Sequence, residues 1–284
     1  MFSLNKRHSI EYFESSYLSG CNFLTHAFCT RRGGVSEGDY ASLNISFREG
    51  DLEGSVLQNW HRLAMAFAIP IDQFLTLNQV HGDDIFIIKS FGDYYPAEGV
   101  LNYDAIVTTR ENLAICVKTA DCVPILIADR AKKIIAAVHA GWKGTALEIT
   151  AKVIRLLLEK YRSSERDILA AIGPAIGLCC FEIDEEAAER FRSQQDHEEF
   201  LFPGNHPPKW IVDLPEANRR QMVNCGIPDE NIDLSRLCTC CRQDLFFSHR
   251  GSGGVTGRQL NFIMIRGEAP CRVLTIGNEY TRIQ

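Results

Sequence analysis

A cysteine and a histidine stand at the ends of two neighbouring apolar runs. Cys122 immediately precedes the run VPILIAD (123–129), and His139 lies near the end of the run KIIAAVHA (133–140). The short polar segment between the runs suits a hairpin turn. In such an antiparallel hairpin, the start of the first strand and the end of the second lie at the same edge of the sheet. The sequence therefore predicts that the thiol of Cys122 and the imidazole of His139 lie close together.

His81 is a third candidate in a similar setting, because it follows the run FLTLNQV and precedes Gly82. Two histidines and one cysteine, with a fourth position open to water, are typical ligands of a catalytic zinc site. The eight histidines form no HxH, HExxH or HxxxH pair, so any metal site must be assembled from distant segments. From spacing alone, the alternative stays open that the thiol is simply buried and that the histidines are polar edge residues satisfied by hydrogen bonds.

The segment after His139 has features of an anion site. Gly141 and Gly144 let the backbone approach a ligand closely, and Lys143 adds positive charge. A helix predicted over 142–161 would present free N–H groups at its N-terminus. An ordinary strand-to-helix turn also needs glycine, so that alternative remains.

A second glycine-rich stretch, HAFCTRRGGVSEGDYASLNIS, spans residues 26–46. Its Arg31 and Arg32 are suited to holding a phosphate or a carboxylate. The alternative is an ordinary glycine-rich hairpin loop.

The eleven cysteines do not indicate a disulfide framework, because their number is odd and the expected compartment is reducing. Cys238 and Cys241 form one CxxC, which Cys179 or Cys180 would in principle complete as a second metal site. The paired CxxC motifs of a zinc knuckle are absent. The sequence therefore favours buried, reduced thiols for these residues and for Cys240.

The elements that must position these side chains are mostly strands. β-branched runs predict strands at 84–89, 104–109, 112–119, 123–129 and 133–140. Apolar residues occupy both alternating sets of these runs, so we expect this sheet to be covered on both faces. Apolar periodicity and end signals predict helices at 142–161, 184–192 and 215–226. The run 260–266 fits a strand or a helix. The mixture predicts an α+β fold with a large, mostly antiparallel sheet system.

Composition excludes several classes of protein. The 284 residues are 45% hydrophobic and 23% charged, with a net charge of −6. This balance argues against non-specific binding of nucleic acid, which usually requires a basic patch. No apolar run reaches the length of a membrane span, and the N-terminus lacks the pattern of a secretory signal. We therefore expect a cytoplasmic protein without a nucleic-acid or membrane partner.

Seven segments, taken together, resemble one family. They are TRRGGVSEGDYASLN, LNQVHGDDI, DAIVTT, TADCVPIL, AVHAGWKGT, AIGPAIGLCCFEI and CTCCRQDLFFSHRGSGGVTGRQLNFI. Their order, from about residue 23 to 266, resembles that of the YfiH/YlmD family, also called the laccase-domain or polyphenol-oxidase family. The combination of TADC with HAGWKGT is the most specific part of the resemblance.

The resemblance implies a fold and a metal. It implies one domain over 1–284, built as a four-layer α/β/β/α sandwich, and one zinc ion held by His81, Cys122 and His139. Copper is a possible alternative or adventitious metal, because it outcompetes zinc at equal availability.

The implied activity is phosphorolysis of purine nucleosides (adenosine, inosine, guanosine and methylthioadenosine), together with deamination of adenosine. The implied partners are therefore nucleosides and phosphate. Asp121 adjoins the ligand Cys122 and is a candidate acid, base or metal-supporting group. The candidate phosphate-binding residues are Arg31, Lys143, Arg250 and Arg258.

Three other functions use the same residues. A copper phenol oxidase is disfavoured, because coupled copper centres need a dense set of histidines. A cysteine amidohydrolase acting on peptidoglycan precursors would use Cys122 as nucleophile, His139 as base and Asp121 or another acid to orient the base. A metal-binding protein without enzymatic activity would make no use of an open coordination position beside an anion site.

Overall fold

Two six-stranded sheets pack face to face in the computed structural model, which describes residues 1–88 and 102–267. Strands are numbered in chain order. The first sheet has the spatial order β1 (Phe2–Arg7), β2 (Ile10–Ser15), β3 (Leu24–Cys29), β15 (Gln259–Ile265), β7 (Ala114–Thr119) and β4 (Phe74–Thr76). The predicted strand at 112–119 is therefore β7, and the ambiguous run at 260–266 is a central strand.

The second sheet carries the predicted hairpin. Its order is β14 (Ile232–Leu234), β10 (Ile168–Ile172), β8 (Val123–Asp129), β9 (Ile134–Ala140), β6 (Ala105–Thr108) and β5 (Ile85–Ile88). A small third sheet has the order β11 (Glu182–Ile183), β13 (Trp210–Val212) and β12 (Leu201–Pro203). Only the pairs β4–β7, β5–β6 and β10–β14 are parallel among the described strands, so the prediction of a mostly antiparallel system is confirmed. Lys89, at the end of the predicted strand 84–89, lies outside the described residues.

Helices cover the outer face of each sheet. The described helices are α1 (Ser16–Ser19), α2 (Glu53–Phe67), α3 (Trp142–Ala146), α4 (Ile149–Lys160), α5 (Glu185–Glu189) and α6 (Leu214–Asn224). Trp60 and Phe67 of α2 pack edge-to-face on Phe74 and Phe262 of the first sheet. Helices α4 and α6 cover the second sheet. The result is the expected four-layer α/β/β/α arrangement.

The core between the sheets is apolar and fully buried. Phe28, Ile115 and Ile263 of the first sheet meet Leu126 and Ile135 of the second. Full burial of one such side chain contributes about 1.5–3 kcal/mol. Strands β8 and β9 are buried along their whole length, so the prediction of a sheet covered on both faces is confirmed and the hairpin is a rigid base for the residues at its end.

The predicted helix over 142–161 is wrong as a single element. It divides into α3 and α4, because Glu148 adopts a left-handed conformation with φ of 59°. The carbonyl of Thr145, which a continuous helix would pair internally, accepts bonds from the side-chain amides of Gln194 and Gln221, at 2.9 and 2.8 Å. Leu147, which the apolar periodicity of a continuous helix would place on its buried face, is 48% exposed.

The two other predicted helices are present but differ in length. The run 184–192 forms only the five residues of α5, capped by the Asp184 carboxylate, which accepts a bond from the amide of Ala187. The run 215–226 forms α6, with Pro215 in its first turn. Within the described part of the chain, no helix combines the length and apolarity needed to cross a membrane.

Candidate metal centre

The β8–β9 hairpin brings Cys122 and His139 to one sheet edge. Val123 pairs with Ala140 and Pro124 with His139 in an antiparallel register, which confirms the predicted hairpin. Cys122 precedes the first strand of this pair, so it lies next to the end of the second. His81 reaches the same edge from the segment between β4 and β5.

The three side chains converge on one point. The ligand atoms of His81, Cys122 and His139 all lie within 4.8 Å of one another. The distance from Cys122 Sγ to His81 Nε2 is 3.7 Å. Zinc bonds of about 2.3 Å to sulfur and about 2.0–2.1 Å to nitrogen place tetrahedral ligand atoms roughly 3.5 Å apart. The three donors therefore fit a zinc ion.

Gly141 makes this convergence possible. A Cβ at position 141 would lie 2.8 Å from Cδ2 of His81 and 3.3 Å from Sγ of Cys122. The first distance is shorter than a normal carbon–carbon contact, so any side chain at this position would displace His81. Position 141 therefore requires glycine, because the side chains of His81 and Cys122 lie so close to its backbone.

Asp104 anchors both histidines. Its Oδ1 accepts a hydrogen bond from Nδ1 of His139 at 2.8 Å and from the amide of His81 at 3.0 Å, while Oδ2 accepts from the amide of Gly82 at 2.7 Å. Burial alone would raise the pKa of Asp104, but the bonds from His139 and the two amides outweigh burial and lower it. The ionised carboxylate fixes His139 with Nδ1 protonated, which leaves Nε2 as the donor toward a metal.

The electrostatics of the site favour a thiolate. Burial opposes ionisation of Cys122, but the charge and hydrogen bonds of His139 and His81 outweigh it and lower the pKa of the thiol to about 6. Burial opposes protonation of His139, but the Cys122 thiolate and Asp104 raise the pKa of the imidazole. The thiolate is the form of cysteine that binds metals and acts as a nucleophile.

One of the donors, His81, and the residue before another, Asp121, have a left-handed backbone. Asp121 has φ of 94° and His81 has φ of 60°. Such conformations cost on the order of 1–3 kcal/mol in non-glycine residues and concentrate at functional sites. The turn at Asp121 is held from the C-terminal segment, because its carboxylate accepts bonds from Thr239 Oγ1 at 2.7 Å and from the amide of Arg250 at 2.6 Å.

The three donors line a cavity of about 510 Å³. The residues that line it are Ser46, Arg48, Glu49, Leu77, Asn78, Gln79, His81, Lys118, Thr119, Ala120, Asp121, Cys122, His139, Trp142, Ile176, Phe181, His249, Arg250 and Arg258. This lining contains four arginine or lysine side chains and only two carboxylates, although the chain as a whole has a net charge of −6. The cavity is therefore electrostatically suited to an anionic ligand.

Comparison with known proteins identifies the family. Residues 25–266 match the family model described as multi-copper polyphenol oxidoreductase laccase. The chain belongs to this family. Purine nucleoside phosphorylase YlmD of Geobacillus stearothermophilus is 36% identical over 244 residues, which cover 84% of this chain and 89% of that protein. A protein named adenosine deaminase RL5, from an unknown prokaryotic organism, is 34% identical over 82% of this chain and 90% of its own length.

A solved structure of the laccase-domain family confirms the fold. The crystal structure of the Bacillus licheniformis hypothetical protein YfiH superposes with a TM-score of 0.85 at 32% identity, over 93% of this chain and 99% of that chain. The resemblance of the sequence motifs to the YfiH/YlmD family is thereby confirmed. The family's description names several copper ions, which would need many histidine ligands. Within residues 1–88 and 102–267, however, only one of the two candidate metal clusters contains histidine.

The residues predicted to hold phosphate divide into two groups. Arg250 and Arg258 line the cavity of this laccase-domain protein. Arg31 does not line it: its Nη1 donates to the carbonyl of Gln243 at 3.1 Å, and its guanidinium lies over the ring of Phe247. Lys143 is exposed, and its ammonium lies over the ring of Trp142.

Sequence reasoning missed Asp104 and two cations. Asp104 adjoins β6, whose Ala105 pairs with Val138, so correct pairing of β6 with β9 would have placed it beside His139. Lys118 lies in a run that was predicted only as a strand, and Arg48 lies just beyond the glycine-rich stretch 26–46. Burial, followed by repulsion from Arg48, lowers the pKa of Lys118 to about 8.

The expectation of buried thiols near the C-terminus is wrong in part. The ten cysteines among the described residues are all free, as expected for reduced thiols. Cys179 and Cys241, however, are exposed, and Cys180 and Cys238 are half-buried. These four side chains lie together as a second cluster. The CxxC of Cys238 and Cys241, completed by Cys179 or Cys180, was the alternative that the sequence analysis did not favour.

Proposed function

We propose that the chain is a zinc-dependent purine nucleoside phosphorylase that also deaminates adenosine. The observation that carries the proposal is the convergence of His81, Cys122 and His139 at a cavity lined by cationic side chains. The names of the relatives support both activities. Zinc, when bound by these three residues, would supply a Lewis acid and a water molecule of lowered pKa.

Phosphorolysis breaks the bond between the purine nitrogen and C1′ of the ribose and forms a bond from a phosphate oxygen to C1′. The products are a free purine base, which takes up a proton, and ribose 1-phosphate. We assign phosphate binding to Arg48, Lys118 and Arg258 rather than to Arg31 and Lys143, because only the first group lines the cavity. Glu49 orients Arg258 through an ion pair of 2.8 Å.

The nucleoside would bind against the aromatic side of the cavity. Phe181 and Trp142 line it, and the guanidinium of Arg250 lies 5.4 Å from the centre of the Phe181 ring. Aromatic faces and guanidinium planes stack on purine rings. The Asp121 carboxylate accepts a hydrogen bond from the amide of Arg250, so we assign to Asp121 the positioning of Arg250. We also propose that Asp121 acts as an acid or a base in the reaction.

Chromatography of the products formed from adenosine tests the proposal. We expect adenine and ribose 1-phosphate only when phosphate is present, and inosine with ammonia when it is absent. Cys122→Ala should abolish both, whereas Cys225→Ala, which alters a cysteine outside the cavity, should not. The absence of both products from zinc-loaded protein would contradict the proposal.

One observation favours a second candidate, a cysteine amidohydrolase. Cys122, His139 and Asp104 stand in the order of a nucleophile, a base and a carboxylate that orients the base. Asp104 takes the orienting position that the sequence suggested for Asp121. Amide hydrolysis by metal-free protein, together with inhibition by added zinc, would favour this candidate over the nucleoside activity.

A further inference from the structure

Four cysteines from two distant segments form a cluster outside the cavity of the proposed active site. Cys179 and Cys180 lie in a turn after β10, and Cys238 and Cys241 lie in a turn after β14. A parallel bridge between Ala175 and Cys238 holds the two segments together. All four Sγ atoms lie within 4.8 Å of one another.

We propose that Cys179, Cys180, Cys238 and Cys241 bind a second zinc ion as a structural site. Cys241 Sγ lies 3.5 Å from Cys179 Sγ and 3.4 Å from Cys180 Sγ. Four sulfurs about 2.3 Å from a tetrahedral zinc ion are roughly 3.8 Å apart, whereas the sulfurs of a disulfide are about 2.05 Å apart. The observed spacing therefore resembles a four-thiolate zinc site more closely than a pair of disulfides.

The backbone around the cluster is arranged to stabilise thiolate. The amide of Gly177 donates to Cys238 Sγ at 3.3 Å. Burial opposes ionisation of Cys238, but the amides of Gly177 and Cys241 outweigh it and lower the pKa of this thiol. A Cβ at position 177 would lie 3.3 Å from Cys238 Cβ and 3.5 Å from Cys179 Sγ, so glycine allows both to approach. Amide donors of this kind support the thiolate ligands of a metal.

The two other thiols of the cluster, those of Cys179 and Cys180, resist ionisation. Burial and the neighbouring thiols raise the pKa of Cys179 to about 11 and also raise the pKa of Cys180. Several thiolates packed together repel one another, and a divalent cation removes that repulsion while binding all of them. Since cysteine would fill all four tetrahedral positions, the site would have no open position and a structural role.

This zinc ion would also brace one wall of the cavity. The carbonyl of Cys180 accepts a bond from Nη1 of Arg250 at 3.3 Å, and the next residue, Phe181, lines the cavity beside Arg250. Thr239, between two of the cysteines, donates to Asp121. The cluster therefore joins the segments that carry the proposed nucleoside-binding residues.

Zinc content measured on full-length protein tests this proposal without an activity assay. After loading with zinc and removal of weakly bound metal, we expect two zinc ions per wild-type chain and one per chain of the His81→Ala/Cys122→Ala variant. X-ray absorption of that variant should show only sulfur neighbours at about 2.3 Å. The Cys238→Ser/Cys241→Ser variant should also bind one ion, and Cys225→Ser should bind two.

Two outcomes would overturn the second site. One is a single zinc ion in wild-type protein with none in the His81→Ala/Cys122→Ala variant. The other is a set of nitrogen or oxygen neighbours around the ion that this variant retains. Because the spectrum is recorded on a variant with an intact cysteine cluster, the test holds even where the cluster variant fails to fold. Failure of nucleoside turnover would leave the zinc count unchanged, so the two proposals are tested separately.

Discussion

Asp104 Oδ1 lies 2.8 Å from Nδ1 of His139, and neither side chain is more than 3% exposed. The same carboxylate accepts hydrogen bonds from the amides of His81 and Gly82. One buried group therefore positions two of the three candidate metal ligands. The carboxylate, the histidine and the metal would form the arrangement that orients and strengthens histidine ligands in zinc proteins.

Asp104→Asn should weaken zinc binding by about 10–100-fold, the usual effect of losing such a partner. The amide has a similar shape but does not carry the charge that holds Nδ1 of His139 protonated. Competition with a chromophoric chelator measures the zinc affinity. Asp129→Asn is the matched control, because Asp129 is also buried but caps the amides of Ala131 and Lys132 at the opposite end of the hairpin. Equal zinc affinities of the two variants would contradict the assigned role.

Gly141→Ala should disrupt the candidate metal centre while preserving the fold. Its Cβ would lie 2.8 Å from the ring of His81, and overpacking of this kind typically costs about 1–3 kcal/mol. Since the added methyl group displaces His81 from its position as a ligand, this free energy corresponds to a loss of zinc affinity of about 5–150-fold. Gly54→Ala in α2 is the control, because nothing lies within 4 Å of its added Cβ. Unchanged zinc affinity in Gly141→Ala would show that His81 is free to move aside.

Local sequence patterns predict some features of the candidate metal centre and not others. The approach of Cys122 to His139 follows from one local hairpin, so pattern and turn signals predict it. The position of Asp104 depends on the pairing of β6 with β9, which joins residues about thirty apart, and no local pattern specifies it. The helix break at Glu148 depends on Gln194 and Gln221, which lie in other parts of the fold and donate hydrogen bonds to the carbonyl of Thr145. The cysteine cluster joins Cys180 and Cys241, which are 61 residues apart.

Phosphate binding should weaken as the pH rises through about 8. The pKa of Lys118 is lowered to about 8, mainly by burial and then by Arg48, so the ammonium is present below this pH and is lost above it. Above the pKa the charged fraction falls about tenfold per pH unit, and KM for phosphate should rise accordingly. Lys118→Arg should remove this dependence, because a guanidinium keeps its charge. A KM for phosphate that stays constant between pH 7 and 10 in wild-type protein would exclude Lys118 from the phosphate site.

Cys122 should react faster than Cys225 in metal-depleted protein at mildly acid pH. Its pKa is lowered to about 6 by His139 and His81 against the effect of burial, so the thiolate forms as the pH rises through about 6. Burial raises the pKa of Cys225, which therefore provides an internal control that stays protonated in this range. Alkylation with iodoacetamide, followed by mass spectrometry of peptides, gives the rate at each site. Zinc loading should protect Cys122 if the thiolate is a ligand, and continued alkylation at the metal-free rate would favour the cysteine amidohydrolase.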